Sequence, residues 1–138
     1  MSKTFLVIDA DADGRALLVG TLMRVFPDGA VTECQDARMA LKLVKGHAYD
    51  AIISHRAIGS DPETLIRAIR REKRDVPLLA VSGIDRRKQL VAAGATTFLN
   101  YEEWLMVGRT IAEMISPQSN APFNPSASPG IAVTGLTR

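Results

Sequence analysis

Four side chains that could do chemistry each follow the end of a short apolar run, namely Asp9, His55, Ser82 and Tyr101. A carboxylate in such a place can act as a nucleophile or bind a divalent cation. An imidazole is a poor ligand for Mg²⁺ and cannot form an acyl phosphate. The residue type at position 55 therefore decides which chemistry this set of side chains can support.

The apolar runs that precede these side chains alternate with segments of helical period. Runs this short predict buried strands, at 5–8, 30–34, 51–54, 78–81 and 96–99. The segments that follow them predict helices, at 12–26, 37–45, 62–74, 85–93 and 102–115. Aspartates stand where three of the helices should be capped, at Asp11, Asp36 and Asp61.

Strict alternation of strands and helices predicts an α/β fold, with a doubly wound, five-stranded parallel sheet and helices on both faces. Open sheets of this kind bind ligands beyond the carboxyl ends of their strands. We therefore expect the four side chains to lie along one edge of the sheet.

Composition limits the class of protein. The chain has 138 residues, with 46% hydrophobic and 23% charged residues, which fits one globular domain. A net charge of +2 gives no reason to expect a nucleic-acid partner. The only cysteine, Cys34, excludes an internal disulfide, and no apolar run is long enough for a membrane span. We expect a cytoplasmic protein.

The composition changes near residue 116, which predicts two parts. Residues 1–115 are expected to form the folded domain. Residues 116–138 are rich in proline and serine and contain a single charged residue, Arg138, so we expect a disordered C-terminal tail.

Residues 1–115 resemble a receiver domain of the response-regulator family. The resemblance rests on the apolar strand that ends at Asp9, on the strand that ends at Ser82, and on the pair Gly94-Ala95 before the fifth strand. It implies the doubly wound fold of the flavodoxin-like type and a place in two-component phosphorelay signal transduction.

Three of the five functional positions depart from the family's pattern. Asp9 and Ser82 match, whereas Ala10 replaces the second acid, His55 replaces the phosphate-accepting aspartate, and Tyr101 replaces the lysine. Phosphoryl transfer needs a nucleophile, a divalent metal and a cation on the transferring oxygens. We therefore expect a pseudo-receiver with no catalytic residue, no bound metal and no cofactor, which signals by protein–protein interaction.

The resemblance also implies a contact surface, formed by the fourth helix, the fifth strand and the fifth helix. Its expected members are Leu90, Phe98, Tyr101, Trp104 and Val107. We expect it to bind another signalling protein or a second copy of the chain, and we expect no nucleic-acid or membrane partner. The alternative is that the tail covers this flank, with Phe123 or residues 131–133 as plugs.

A second hypothesis within the same fold is a sensor of an anion or small ligand. A pocket that has lost its carboxylates could be ringed by cations, namely Arg56, Arg86 and Arg87. His55 itself is predicted to be a partly exposed loop histidine, in preference to a phosphohistidine or a metal ligand.

A third hypothesis belongs to another class. The segment from Asp9 to Asp11 also resembles the first motif of haloacid-dehalogenase-like phosphatases, which are Mg²⁺-dependent. That resemblance implies Asp9 as nucleophile and Asp11 as general acid. The remaining members of such a site would be Ser82, Lys88 and the pair Glu102-Glu103.

Overall fold

The structure is a computed structural model and describes residues 2–116. Five parallel strands form one sheet in the order β2-β1-β3-β4-β5. The strands are β1 (Thr4–Ile8), β2 (Ala30–Cys34), β3 (Ala51–Ser54), β4 (Leu78–Ser82) and β5 (Thr97–Asn100). The helices are α1 (Ala12–Val25), α2 (Ala37–Gly46), α3 (Pro62–Glu72), α4 (Arg87–Ala93) and α5 (Val107–Ile115). The predicted fold class is confirmed.

Helices cover both faces of the sheet because alternate residues of the central strands point to opposite sides. Leu6 and Ile8 belong to the core shared with α2, α3 and α4. Phe5 and Val7 belong to the core shared with α1 and α5. All four side chains are fully buried, so β1 fixes the direction in which the next residue, Asp9, must point.

Aspartate caps begin three helices where the sequence predicts them. The side chains of Asp11, Asp36 and Asp61 accept hydrogen bonds from the backbone N–H groups of Gly14, Met39 and Thr64. Each bond satisfies one of the N–H groups that the first turn of a helix leaves without a partner.

The last helix differs from the prediction. A 3-10 helix spans Tyr101–Met106, and α5 begins only at Val107. The side chain of Asn100 accepts a hydrogen bond from Glu102 N–H, and Glu103 has non-helical backbone angles. The 3-10 helix contacts α1 and β5, and α5 then packs against α1.

The predicted tail lies outside the described residues apart from Ser116, and so do Phe123 and residues 131–133. Within residues 2–116, no helix has the length and apolar character needed to cross a bilayer.

Candidate functional site

Asp9 directly follows β1, and its side chain is completely buried. Its Oδ1 accepts a hydrogen bond of 3.0 Å from the backbone N–H of Asp11. Its Oδ2 lies 2.9 Å from Nδ1 of His55. The guanidinium of Arg15 donates to the Asp9 carbonyl oxygen at 2.8 Å, which fixes the backbone on the other side. The carboxylate is therefore held by protein groups at both oxygens.

His55 follows β3, beside Asp9, because the register of the two strands pairs Ile8 with Ser54. Its backbone N–H donates to the Ile8 carbonyl at 2.9 Å, which extends the strand pairing by one residue. Only 8% of the residue is exposed. The prediction of a partly exposed loop histidine is wrong, because the side chain turns inward to meet the buried carboxylate.

The contact between His55 and Asp9 fixes a tautomer. Burial acts to raise the pKa of Asp9, but the hydrogen bonds from His55 and Asp11 and the charges of His55 and Arg56 together bring that pKa below its ordinary value. The carboxylate is therefore ionised near neutral pH and can only accept hydrogen bonds. Nδ1 of His55 must therefore carry a proton, so that only Nε2 can be the unprotonated nitrogen when the ring is neutral.

Tyr101, the first residue of the 3-10 helix, covers the histidine. The two rings are stacked, with centroids 4.5 Å apart and planes inclined by 17°. The phenol hydroxyl donates to the Gly14 carbonyl at 3.3 Å. Burial and the negative charges of Asp9 and Asp11 raise the pKa of Tyr101, so the phenol stays neutral. At the position where the family resemblance implies a lysine, the chain therefore has an uncharged phenol ring, which forms a lid over His55.

Gly14 makes room for this arrangement. A Cβ atom on Gly14 would lie 3.0 Å from Asp9 Oδ2, from Asp11 Oδ2 and from the Tyr101 hydroxyl oxygen. Such contacts are tighter than ordinary van der Waals packing. Sequence reasoning missed Gly14 and Arg15, and neither carries a local signal, since their roles depend on which strand ends meet at this edge.

The other two of the five functional positions, Ser82 and Ala10, contribute little polar chemistry. Ser82 is buried, and its Oγ accepts a 3.3 Å hydrogen bond from the Ile84 N–H. Ala10 is half-buried and brings only a methyl group.

Of the three predicted arginines, only Arg56 contacts the site. Its Nε lies 3.6 Å from Asp9 Oδ1, and its side chain is 59% exposed. The guanidinium of Arg87 instead lies over the Phe98 ring, 5.2 Å from its centroid. No hydrogen bond, ion pair or ring contact within residues 2–116 joins Arg86 or Arg87 to His55, so of the three predicted arginines only Arg56 lies against the site. The other guanidinium at this edge is that of Arg15.

The donor set does not fit Mg²⁺. This ion requires several oxygen ligands in octahedral geometry. The carboxylates of Asp9 and Asp11 are already engaged, the first by His55 and the second by the Gly14 N–H. No cluster of three or more His, Cys, Asp or Glu side chains suited to a metal ion occurs within residues 2–116.

The predicted contact surface is only partly at the surface. Leu90, Phe98 and Val107 are buried, with exposures of 1%, 4% and 0%. Placing them on a partner surface was wrong, because they pack into the two cores between sheet and helices. Tyr101 and Trp104 are half-buried. The exposed large apolar residues of this region are Val91 at 43% on α4, and Leu105 at 61% and Met106 at 40% on the 3-10 helix.

Comparison with known proteins gives a result at the level of structure. No family model and no curated protein matches the chain. Many solved structures do match it. The receiver domain of the putative response regulator NarL from Mycobacterium tuberculosis is 22% identical, with a TM-score of 0.71 over 84% of this chain and 98% of that one.

Two further structures give the same result. The receiver domain of the Pseudomonas aeruginosa sensor histidine kinase PA1611, which holds a magnesium ion in its active-site cleft, is 20% identical. It has a TM-score of 0.70 over 83% of this chain and 98% of that one. The receiver domain of the Francisella response regulator 1452 is 18% identical, with a TM-score of 0.68 over 81% of this chain and 98% of that one. The chain thus has the fold of response-regulator receiver domains.

Proposed function

We propose that this receiver-fold chain is a signalling module of a two-component-type pathway that acts by protein–protein contact and takes no phosphoryl group on an aspartate. The observation that carries the proposal is the 2.9 Å hydrogen bond between His55 and Asp9. The nucleophile position holds an imidazole, and that imidazole occupies one oxygen of the carboxylate that matches the receiver pattern. At the nucleophile position, an acyl phosphate therefore has no carboxylate on which to form.

The same geometry weighs against a phosphatase with Asp9 as nucleophile. Asp9 is completely buried, so a phosphomonoester has no direct approach to its oxygens. The carboxylate of Asp11, the expected general acid, caps α1 through a 2.7 Å hydrogen bond from Gly14 N–H. We therefore propose that the chain is not an enzyme of this class.

The proposal is tested by incubating the protein with acetyl phosphate and Mg²⁺ and then reducing it with borohydride, which converts an aspartyl phosphate to homoserine. We expect no homoserine at any position. The matched control is the triple variant Ala10→Asp/His55→Asp/Tyr101→Lys, which restores the side chains that the family resemblance implies. Homoserine in the unaltered protein at a rate similar to that of the triple variant overturns the proposal.

We further propose that the contact surface is the 3-10 helix. Leu105 and Met106 present apolar side chains to solvent, next to the half-buried ring of Trp104. The helix also begins with Tyr101, the lid over His55, so a change at the site would be passed on to this surface directly. Aromatic residues and methionine are enriched in protein interfaces.

Self-association is one form that this contact could take, and light scattering over a range of concentrations measures it. We expect association that Leu105→Glu weakens. Ile84→Glu is the control, because Ile84 is exposed to a similar degree, 59%, on the loop between β4 and α4. A monomer at every concentration assigns the surface to a different protein, and equal weakening by both variants contradicts the assignment to the 3-10 helix.

A further inference from the structure

The two ring nitrogens of His55 have different surroundings. Nδ1 is engaged by Asp9 Oδ2 at 2.9 Å. Nε2 has no hydrogen-bond partner within residues 2–116. Among these residues, Ser54 Oγ is the only fully buried side-chain nitrogen or oxygen that lacks a partner, so Nε2 is not fully buried. Nε2 therefore reaches solvent through the small exposed fraction of the residue, 8%.

This arrangement is that of an activated histidine. A carboxylate on one ring nitrogen fixes the tautomer, orients the ring and stabilises the positive charge that develops when the other nitrogen forms a bond. Asp9 is itself held by the Asp11 N–H at 3.0 Å, and the Tyr101 ring, stacked at 4.5 Å, fixes the plane of the imidazole. In the neutral ring, Nε2 thus carries a lone pair whose direction is fixed by these contacts.

Arg56 supplies the cation that a phosphoryl group would need. Its side chain is 59% exposed and its Nε lies 3.6 Å from Asp9 Oδ1, which puts a positive charge beside the carboxylate that holds His55. Guanidinium groups bind phosphoryl oxygens with good geometry. A nucleophilic nitrogen, its orienting carboxylate and an exposed guanidinium therefore occur together at one edge of the sheet.

We propose that His55 is a phosphorylation site and that Nε2 accepts the phosphoryl group from an activated donor, either an acyl phosphate or a phosphoramidate. The Nε2 lone pair forms a bond to phosphorus. The bond from phosphorus to the donor breaks, and its electron pair leaves on acetate or, with a proton from water, on ammonia. The proton on Nδ1 stays in its hydrogen bond to Asp9, whose charge offsets that of the phosphorylated ring.

This inference goes beyond the proposed function, because the product is a phosphoramidate on nitrogen and not an aspartyl phosphate. Phosphorylation of His55 would also be a signal that the proposed contact surface can receive. A phosphoryl group on Nε2 adds negative charge next to the Tyr101 ring, and Tyr101 begins the 3-10 helix.

The test uses potassium phosphoramidate and acetyl phosphate without added metal, followed by intact mass at alkaline pH, where phosphohistidine is stable and aspartyl phosphate is not. The chain's other histidine provides a matched control. His47 is exposed, so indiscriminate chemistry would modify it first. We expect one alkali-stable phosphoryl group on the unaltered protein and on His47→Gln, and modification at least about tenfold slower in His55→Gln. Modification that is as fast in His55→Gln as in the unaltered protein overturns the proposal.

The position of the bond is a second measurement that needs no variant. Phosphorus NMR distinguishes the two isomers of phosphohistidine, and the proposal requires the Nε2 isomer because Asp9 holds Nδ1. In Asp9→Asn, whose folding circular dichroism checks, we expect a slower reaction and an altered pH profile, since the charge that orients and stabilises the ring is gone. The Nδ1 isomer in the unaltered protein, or no alkali-stable product with either donor, contradicts the assignment.

Discussion

Two polar clusters lie at opposite edges of the same sheet, and they differ in how completely their hydrogen bonds are satisfied. At the amino edge, Arg70 reaches under the starts of β4 and β5. Each of its three guanidinium nitrogens donates to the protein. The acceptors are the carbonyl oxygens of Lys73, Arg74, Val76 and Gly94 and the hydroxyl of Thr96.

At the carboxyl edge, His55 donates through Nδ1 to Asp9 and leaves Nε2 without a partner within residues 2–116. Arg70 thus ties loops together and has no donor nitrogen left over, which is what a structural residue does. The fold of the described residues engages Nδ1 of His55 and leaves its Nε2 without a protein partner. The comparison teaches that a partly buried cation can be purely structural, and that the atom left free marks where chemistry can occur.

The largest effect on stability is expected at the amino edge. Arg70→Ala should lower the free energy of unfolding by about 2–3 kcal/mol, because several charge-assisted hydrogen bonds to backbone carbonyls are lost at once. The neighbouring exposed Arg71 is the control, and Arg71→Ala should change the free energy of unfolding by less than about 0.5 kcal/mol. Urea unfolding measures both. Equal losses would mean that the Arg70 contacts carry no particular weight.

At the carboxyl edge, His55→Asp should cost about 1–3 kcal/mol at neutral pH, since it puts a second carboxylate beside buried Asp9. The loss should shrink at pH 5 as the pair takes up a proton. His55→Asn is the control for the loss of the ring, because asparagine has nearly the same size as aspartate and carries no charge. If the aspartate and asparagine variants are equally stable at pH 7, Asp9 is not the buried anion described here.

The hydrogen bond between Asp9 and His55 also predicts a smaller effect on stability that depends on pH. Burial acts to raise the pKa of Asp9, but the hydrogen bonds and nearby charges outweigh it, so this pKa lies below the ordinary 3.8. The stability that Asp9 contributes is present above that ordinary value and is lost as the pH falls through the folded-state pKa. We expect the unaltered protein to be more stable than Asp9→Asn at pH 7 and the gap to narrow below about pH 4. A gap independent of pH contradicts this.

The smallest effect concerns two glycines of α1. Gly20 has open space around it, so Gly20→Ala should stabilise the protein by about 0.5–1 kcal/mol through helix propensity. Gly14→Ala should give no such gain, because its methyl group would press on Asp9, Asp11 and Tyr101. Thermal unfolding compares them. An equal gain from both substitutions would show that the lid over His55 is loosely packed.

Local signals in the sequence were enough for much of the fold. Caps such as Asp11 and Asp61 and the alternation of strands and helices predict the elements, because these depend on neighbouring residues. The split of the last helix was missed, since it depends on Asn100 capping Glu102 within a segment that reads as one helix. Leu90 was predicted to lie on the contact surface, but it is buried. On the short helix α4, the exposed large apolar side chain is that of the next residue, Val91.

The site was predictable in its members but not in its geometry. That Asp9, His55 and Tyr101 lie at one edge follows from the fold class. Their hydrogen bond and ring stacking do not, because Asp9 and His55 are 46 residues apart in sequence and a lone histidine carries no sign of its partner. Burial of an imidazole against a carboxylate is decided by side-chain packing, which periodicity does not report.

We propose that His55 and the Tyr101 ring occupy the place of a metal ion and an aspartyl phosphate at the end of the sheet. Titration with Mg²⁺ and beryllium fluoride, followed by fluorine NMR and by the backbone amide signals of Asp9, His55 and Ser82, tests it most directly. We predict no bound fluoride signal and no saturable amide shifts in the unaltered protein, and both in the triple variant Ala10→Asp/His55→Asp/Tyr101→Lys. A bound, Mg²⁺-dependent fluoride signal in the unaltered protein would contradict the account.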